Sequence, residues 1–333
     1  MLQQKNKRIV FFCLSHFDYL ADSLLIGLKQ QAEIDVIEYG HNKVIYKSDE
    51  TLRDQHGMAF TIGKVLDANL RNPYNNENLA KFDLFIFPSV QHQYKLIRQF
   101  LPYLTKQNTL IFDGSDSPAL FPFSGAIIKD PKSWFYPFLF QRFHYYKREW
   151  INETSFFPQV TYFFPKFLTI SLTRHTMLKR VSFSIPSEKI VDLLPEKTKL
   201  FPKHIVDEDL LPYIDGSQSK YAFQTEAEYY EDLQRSKFGV TTKRAGWDCM
   251  RHYEIAANGA VICFKDLDKK PDTCAPHGLV DGENCISYKN YGDLIEKINL
   301  LTNEKYLSLQ IKSIQWINHQ TSEQLVKYLL SSL

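Results

Sequence analysis

The fold is decided by the stretch Arg251-His-Tyr-Glu-Ile-Ala-Ala-Asn-Gly-Ala-Val-Ile-Cys-Phe264, which indicates a helix followed by an apolar strand. A short apolar strand and a polar turn precede it, after Ser236. The segment Gly278-Leu-Val-Asp-Gly-Glu-Asn-Cys-Ile-Ser-Tyr288 then indicates a loop and a third strand, and a helix follows around Asp293 to Leu301. This order predicts a parallel sheet, whose ligand lies beyond the carboxyl ends of the strands.

The N-terminal half predicts a second sheet of the same kind. Its first strand runs from Lys7 to Leu14 and is apolar throughout after two basic residues, as expected when both faces are buried. An amphipathic segment and further short strands follow, over Leu20–Leu28, Glu33–Tyr39, Leu84–Phe87 and Thr109–Asp113. The alternation predicts an α/β fold with two Rossmann-like domains facing each other across a cleft.

The composition excludes several classes of protein. With 333 residues, 44% hydrophobic and 23% charged, the chain is long enough for two globular domains. A net charge of +2 predicts no general nucleic-acid binding. No window has 18 consecutive apolar residues and the N-terminus lacks an apolar signal segment, so we expect a cytoplasmic protein. The 5 scattered cysteines, without a Cys-x-x-Cys pair, predict reduced thiols and no thiolate zinc site.

The two quoted C-terminal segments carry a resemblance. The run Tyr253-Glu-Ile-Ala-Ala-Asn-Gly-Ala-Val-Ile262 is similar to the Glu-Ala-hydrophobic-Ala-x-Gly-x-Pro-Val-Ile signature of group 1 glycosyltransferases with the GT-B fold, and the segment from Gly278 resembles a second motif of that family. In the family the motif glutamate binds the ribose hydroxyls of the nucleotide, which corresponds to Glu254. A carboxylate suits this role because it accepts two hydrogen bonds from a vicinal diol.

The resemblance has departures. The family often has an acidic residue eight positions before the glutamate, where this chain has Gly246, and the surrounding turn is rich in cations. This pattern resembles a divergent branch that includes spore-maturation-type glycosyltransferases. The donor, and whether transfer retains or inverts the anomeric configuration, are left open.

Cations near the start of the predicted helix are our candidates for the donor phosphates. Departure of a phosphate leaving group increases negative charge, and positive groups there stabilise the transition state. A solvated helix face is the alternative for the same residues. Trp247 can stack on a base or pack in the core, and His277 directly precedes the second motif. The donor-site candidates are Lys243, Arg244, Arg251, Trp247, His277 and Glu254.

Four residues at predicted strand ends are candidates for a catalytic base. His16 and Asp18 follow the first strand, and Asp113 and Asp116 lie in the turn after the strand at Thr109. In GT-B enzymes a base, where one is used, usually comes from these loops and must reach the acceptor hydroxyl. Capping of a turn or helix is the alternative for the aspartates.

Residues 134–167 are rich in aromatic and basic side chains. Three interpretations remain open: a buried segment between the domains, a surface in the headgroup layer of a membrane, or a stacking platform for a sugar or base. Lys147 and Arg148 within this segment either reach an anionic substrate or pair with acids.

The resemblance implies a hexosyltransferase-like enzyme that moves a sugar from a nucleotide-sugar donor to a glycan or lipid-linked acceptor, in bacterial surface polysaccharide assembly such as lipopolysaccharide, O-antigen or capsule. It implies no metal or other cofactor, because GT-B enzymes generally use positive side chains and helix dipoles instead. We assign residues 1–165 to an acceptor-binding domain, 166–315 to a nucleotide-sugar domain, and 316–333 to a helix that packs back on the first domain. Contact with the inner face of the membrane through 134–167 is an extension of this hypothesis. Its rivals are transfer from a nucleoside monophosphate sugar and a catalytically silent scaffold.

Overall fold

The structure is a computed structural model that describes residues 7–42, 44–47, 60–121, 140, 142–151, 178–220 and 222–333. Its first unit contains β1 Lys7–Phe12, α1 Tyr19–Lys29, β2 Ile34–Tyr39, β3 Leu84–Phe87, α2 Val90–Phe100, β4 Thr109–Asp113, β5 His144–Lys147 and β6 Leu178–Arg180. The strands form one parallel sheet in the order β2-β1-β3-β4-β5-β6. The central strands β3 and β4 are buried along their whole length, which explains their continuous apolar sequence.

The second unit is built around a smaller parallel sheet in the order β7-β8-β9. Its elements are α3 Glu226–Arg235, β7 Phe238–Thr241, α4 Met250–Ala257, β8 Val261–Lys265, β9 Cys285–Tyr288, α5 Tyr291–Asn299, α6 Asn303–Asn318 and α7 Ser322–Ser331. Short 3₁₀ helices occupy Ala68–Leu70, Leu79–Lys81, Leu101–Tyr103, Ser187–Lys189, Glu208–Tyr213 and Leu267–Lys269. The predicted α/β fold with two parallel sheets is confirmed.

The two units are joined by a shared core and by crossing segments. One hydrophobic cluster contains side chains of both units, including Leu24 and Tyr146 of the first and Ile255 of the second. The strand β6 belongs to the first sheet, although it follows the boundary that the sequence placed after residue 165. The last helix, α7, packs on α1 of the first unit. The approach is close at Gly27, where a Cβ atom would lie 2.2 Å from the carbonyl oxygen of Ser322.

Part of the aromatic segment 134–167 lies within the described residues, and there it is a buried strand. Tyr145 and Tyr146 of β5 are fully buried in the first sheet, with Phe143 just before them. The buried interpretation therefore holds for this part. The stretches 134–139, 141 and 152–167, which also belong to the predicted membrane contact, lie outside the described residues. Among those described, no helix has the length and apolar character needed to cross a membrane.

Candidate functional site

A cleft of about 760 Å³ lies between the two units. The first unit lines it with the turns that follow β1 and β4, including Asp18 and Asp116. The second unit lines it with the turn after β7 and the start of α4, including Arg244, Arg251 and Glu254. These are carboxyl ends of parallel strands, which is where a ligand of such a sheet is expected. The cleft therefore brings together charged residues that are more than 200 positions apart in the chain.

The position of α4 explains why these residues reach the cleft. The helix packs closely on β7, since a Cβ atom at Gly239 would lie 2.5 Å from Cγ2 of Ile255. Its first turn faces the cleft, and its N-cap residue, Cys249, makes no side-chain hydrogen bond to the helix. Uncapped N–H groups and the positive end of the helix dipole favour an anion at this point.

Arg251 in the first turn of α4 is largely buried and pairs with a neutral partner. Its Nη2 lies 2.8 Å from Nε2 of His204. Because a guanidinium only donates, this nitrogen accepts and the His204 ring is neutral. Burial, followed by the charge of Arg251, lowers the pKa of His204 to about 4. The Nε of Arg251 is buried and has no hydrogen-bond partner within the described part of the chain.

Arg251 and Arg244 differ from the other arginines near the cleft in having no carboxylate partner. Among the described residues, the arginines that form salt bridges are Arg8, Arg148 and Arg235. Arg244 is exposed and Arg251 is less exposed, and both line the cleft. Two guanidinium groups beside an uncapped helix N-terminus form a site suited to phosphate oxygens.

Glu254 lies one turn further along α4 and is 6% exposed at the cleft wall. Its Oε2 accepts a hydrogen bond from the Tyr229 hydroxyl at 2.9 Å, and its Oε1 accepts one from the Thr61 hydroxyl at 2.6 Å. Burial raises the pKa of Glu254, and the hydrogen bond from Thr61 and the charge of Arg251 oppose this shift. The carboxylate is thus held by one residue of each unit.

Gly246 occupies the position where the family often has an acidic residue, and the structure gives a steric reason for the difference. A Cβ atom at Gly246 would lie 2.6 Å from Oε1 of Glu149 and 2.7 Å from Oδ1 of Asp116. An acidic side chain there would clash with two carboxylates of the same charge. The acidic function at this point of the cleft is supplied instead by the first unit.

Asp116 is one of two predicted bases that line the cleft, the other being Asp18. Its side chain is 46% exposed, and Oδ1 accepts from Nη2 of Arg148. Arg148 itself is buried, donates to the Gly114 and Asp248 carbonyl oxygens, and lies 4.3 Å above the Phe183 ring. Of the two interpretations for Arg148, pairing with acids is therefore the one observed, with the guanidinium buried and the Asp116 carboxylate partly exposed at the cleft.

Asp113 does not reach the cleft, and its prediction as a base is corrected. It is 1% exposed, and its Oδ1 lies 3.1 Å from Nζ of Lys147, which is fully buried. Its Oδ2 accepts from the Tyr145 hydroxyl at 2.7 Å. Burial lowers the pKa of Lys147. Asp113 thus forms a buried ion pair with Lys147, which fixes the turn that carries Asp116.

The other two candidate bases differ in position. Asp18 lines the cleft, and its Oδ1 caps α1 by accepting from the Ala21 N–H at 2.9 Å. Asp18 therefore caps α1, as the alternative interpretation predicted, and also lines the cleft. His16 is exposed, contacts the ring of His92 edge to face at 4.5 Å, and does not line the cleft.

Three predicted donor-site residues are not brought to the cleft. Lys243 is exposed and its Nζ lies 5.3 Å from the ring of Trp247, and neither residue lines the cleft. His277 lines a separate cavity of about 310 Å³ beside Arg180 and Tyr328. Burial lowers the pKa of His277 to about 4. Lys243 and Trp247 are next in sequence to the cleft-lining Arg244 and Gly246, yet they do not line the cleft themselves.

The structure also adds site residues that sequence reasoning missed. Thr61, His204 and Tyr229 contact Glu254 or Arg251 from distant parts of the chain. No local motif surrounds them, so the sequence carried no signal for their role. No group of three His, Cys, Asp or Glu residues with the arrangement of a metal site occurs in the described ranges.

Two parallel sheets with a cleft between them define the GT-B fold of glycosyltransferases, and the chain has this fold. Crystal structures of Anabaena HepE are similar over 98% of this chain and 100% of that chain: the complex with UDP and glucose has a TM-score of 0.53 at 12% identity, and the complex with UDP-glucose a TM-score of 0.54 at 11%. A glycosyltransferase from Rickettsia africae has a TM-score of 0.52 at 9% identity, over 98% of this chain and 97% of that one.

No protein-family model matches the chain, and a search of curated proteins found no match. At such low identities the structural likeness establishes the fold alone.

Proposed function

We propose that the chain is a glycosyltransferase that moves a sugar from a nucleotide-activated donor to a glycan or lipid-linked acceptor. One observation carries the proposal: Arg244 and Arg251, without carboxylate partners among the described residues, share the interdomain cleft with an uncapped helix N-terminus and Glu254. A ligand that carries both an anionic phosphate and a vicinal diol fits this set of groups, with the phosphate at the arginines and the diol at Glu254. The nucleotides bound to HepE have this chemistry.

The two arginines have the role of binding the donor phosphates. The leaving phosphate gains negative charge as the glycosidic bond breaks, so cations at that point stabilise the transition state more than the ground state. Arg251 has an unpartnered buried Nε, donates to neutral His204 and forms no salt bridge with a described carboxylate, although the charge of Glu254 acts on it. We propose that these groups replace a divalent metal ion and that the enzyme needs no cofactor.

Glu254 has the role of binding the ribose hydroxyls. Its two carboxylate oxygens each accept one hydrogen bond, from Thr61 and Tyr229, and a vicinal diol would donate to these same oxygens. An inverting transfer also needs a base near the acceptor hydroxyl. Asp116 suits this role, because its carboxylate is half exposed in the cleft on the side opposite to Glu254's helix.

The finer parts of the proposal concern where the enzyme acts. We propose bacterial surface polysaccharide assembly, at the inner face of the cytoplasmic membrane. The aromatic and basic residues of 134–167 support this location through their composition. More of the protein should cosediment with vesicles that contain anionic lipid than with vesicles of neutral lipid.

Calorimetry with UDP, GDP, CDP and ADP and the matching monophosphates tests the proposal. One diphosphate should bind saturably, and Arg251→Gln should weaken it by about 10- to 100-fold, as expected for lost hydrogen bonds to a charged group. Glu254→Gln should weaken it by about tenfold. The exposed pair Arg235 and Glu231 on α3 supplies matched controls, since Arg235→Gln and Glu231→Gln should leave binding unchanged.

The two alternative functions predict different results in this experiment. Preference for a monophosphate would favour transfer from a nucleoside monophosphate sugar. Binding without turnover of the corresponding nucleotide sugar, with a panel of glycan acceptors, would favour the silent scaffold. Absence of binding by all eight nucleotides would contradict a nucleotide site in this cleft.

A further inference from the structure

Thr61 reaches from the first unit to the carboxylate that we assign to the donor ribose. It lies in the connection between β2 and β3 and is 0% exposed. Its hydroxyl donates to Oε1 of Glu254 at 2.6 Å and lies 2.7 Å from the hydroxyl of Tyr230. Because a threonine hydroxyl has one hydrogen, it accepts from Tyr230 while it donates to Glu254.

The backbone of Thr61 is also bound to the second unit. Its N–H donates to Oε2 of Glu226 at 2.7 Å, and Glu226 forms an ion pair with Lys189 at 2.5 Å. The neighbouring Phe60 lies at the cleft, with its ring nearly parallel to that of Tyr229 at 6.1 Å. The segment is thus anchored at a point beside Glu254, independently of the hydroxyl contact.

The conformation of Thr61 is strained. Its φ angle is 75°, in the left-handed region that a β-branched residue rarely adopts. Such strain persists only where the surrounding contacts enforce it. Here the backbone turn is held by the bond from the Thr61 N–H to Glu226 and by the bond from the Ile62 N–H to the Phe60 carbonyl oxygen, and it places the Thr61 hydroxyl against Glu254.

The hydroxyl of Thr61 makes the contact with Glu254 that a ribose hydroxyl would make. We propose that Thr61 controls access of the donor to Glu254: its hydroxyl holds the carboxylate in the unliganded chain and is displaced by the ribose diol when the nucleotide binds. This inference rests on the proposed function. A diol replaces one donated hydrogen bond by two, so exchange favours the nucleotide.

A competing internal contact lowers the apparent affinity of every ligand that must displace it. Thr61→Val removes the hydroxyl and keeps both the shape and the β-branch, so the backbone strain is matched. One hydrogen bond to a charged group corresponds to about a tenfold change in affinity, and we expect Thr61→Val to bind the selected nucleoside diphosphate up to about tenfold more tightly. Thr61→Ser keeps the hydroxyl and should stay within about twofold of the wild type.

Glu226→Ala provides a second perturbation that leaves Thr61 and Glu254 intact. It removes the anchor of the Thr61 N–H, so it should also tighten nucleotide binding, and it keeps the test decisive if Thr61→Val does not fold. Circular dichroism and thermal unfolding establish that each variant is folded. Unchanged or weaker binding by folded Thr61→Val, or by Glu226→Ala where the valine variant is unfolded, overturns the proposal.

Glu254→Gln separates failure of this inference from failure of the proposed function. If Glu254→Gln weakens binding while Thr61→Val leaves it unchanged, Glu254 binds the nucleotide and Thr61 does not control it. If Glu254→Gln has no effect, or if no nucleotide of the panel binds, both the ribose assignment and the role of Thr61 are refuted.

Discussion

Protonation of His252 should destabilise the helix that carries the candidate donor site. His252 lies on the buried face of α4 and is 0% exposed. Its Nε2 donates to the carbonyl oxygen of Trp247 at 2.9 Å, and its ring stacks on Phe264 at 4.5 Å. The Nδ1 atom is buried and makes no hydrogen bond with any described residue. A second proton would therefore be placed in an apolar site without an acceptor.

The size of the effect on the free energy of unfolding follows from the difference between the pKa of His252 in the folded state and its pKa in the unfolded state. Burial lowers the pKa of His252 from 6.5 to about 3 in the folded chain. At pH 5 the unfolded chain binds a proton at this residue and the folded chain does not, so stability is full above pH 6.5 and falls as the pH decreases towards 3. Between pH 7.5 and pH 5 the loss is about 2 kcal/mol, since each pH unit below 6.5 costs about 1.4 kcal/mol.

Urea unfolding of His252→Gln at the two pH values measures this contribution. The amide can donate to the Trp247 carbonyl but does not titrate, so the variant should lose about 2 kcal/mol less than the wild type on going to pH 5. Phe264→Leu is the matched control: it weakens packing against the ring, keeps the imidazole, and should lower the stability at both pH values while the wild-type pH difference is retained. Equal pH-dependent losses in wild type and His252→Gln would refute the reasoning.

Three further outcomes follow from the geometry. Lys147→Met should destabilise the chain by about 3–5 kcal/mol in urea unfolding, because it leaves the Asp113 carboxylate buried without its ion pair; a loss below 1 kcal/mol would contradict a buried pair. Gly27→Ala should cost more than about 2 kcal/mol, because its Cβ would overlap the Ser322 carbonyl and push α7 from α1, and an unchanged unfolding midpoint would contradict this packing. Asp116→Asn should lower kcat by about 100-fold or more with little change in nucleotide affinity or stability, and full turnover would remove Asp116 as the base.

The sequence predicted the sheet strands well where the signal is local. A continuous apolar run such as that of β1 is required for burial on both faces of a parallel sheet, so the sequence of the run is sufficient to indicate it. The same holds for β8, which follows the helix of the motif. The bounds of α5 were less well predicted, since the helix spans Tyr291–Asn299 and the pattern indicated Asp293 to Leu301. Helix ends depend on a few capping contacts and are weakly encoded.

The candidate site was predictable only in part. Arg244, Arg251 and Glu254 follow one strand within a short segment, so the turn after β7 and the helix α4 bring all three to one cleft. Asp113 and Asp116 are equivalent by sequence, being three residues apart in the same turn. They differ because Asp113 is buried beside Lys147, whereas the side chain of Asp116 stays 46% exposed while it pairs with Arg148.

By itself, the sequence determined that this chain forms parallel α/β layers and that one strand is followed, within a short turn and helix, by two arginines and an acid. These features depend on residue types and periodicities within about ten positions of each other. Only the tertiary structure decided that Thr61 contacts Glu254, 193 positions away, and that His277 lies beside another cavity. Such partners are selected by the packing of distant segments, and a local pattern carries no information about which segments will meet.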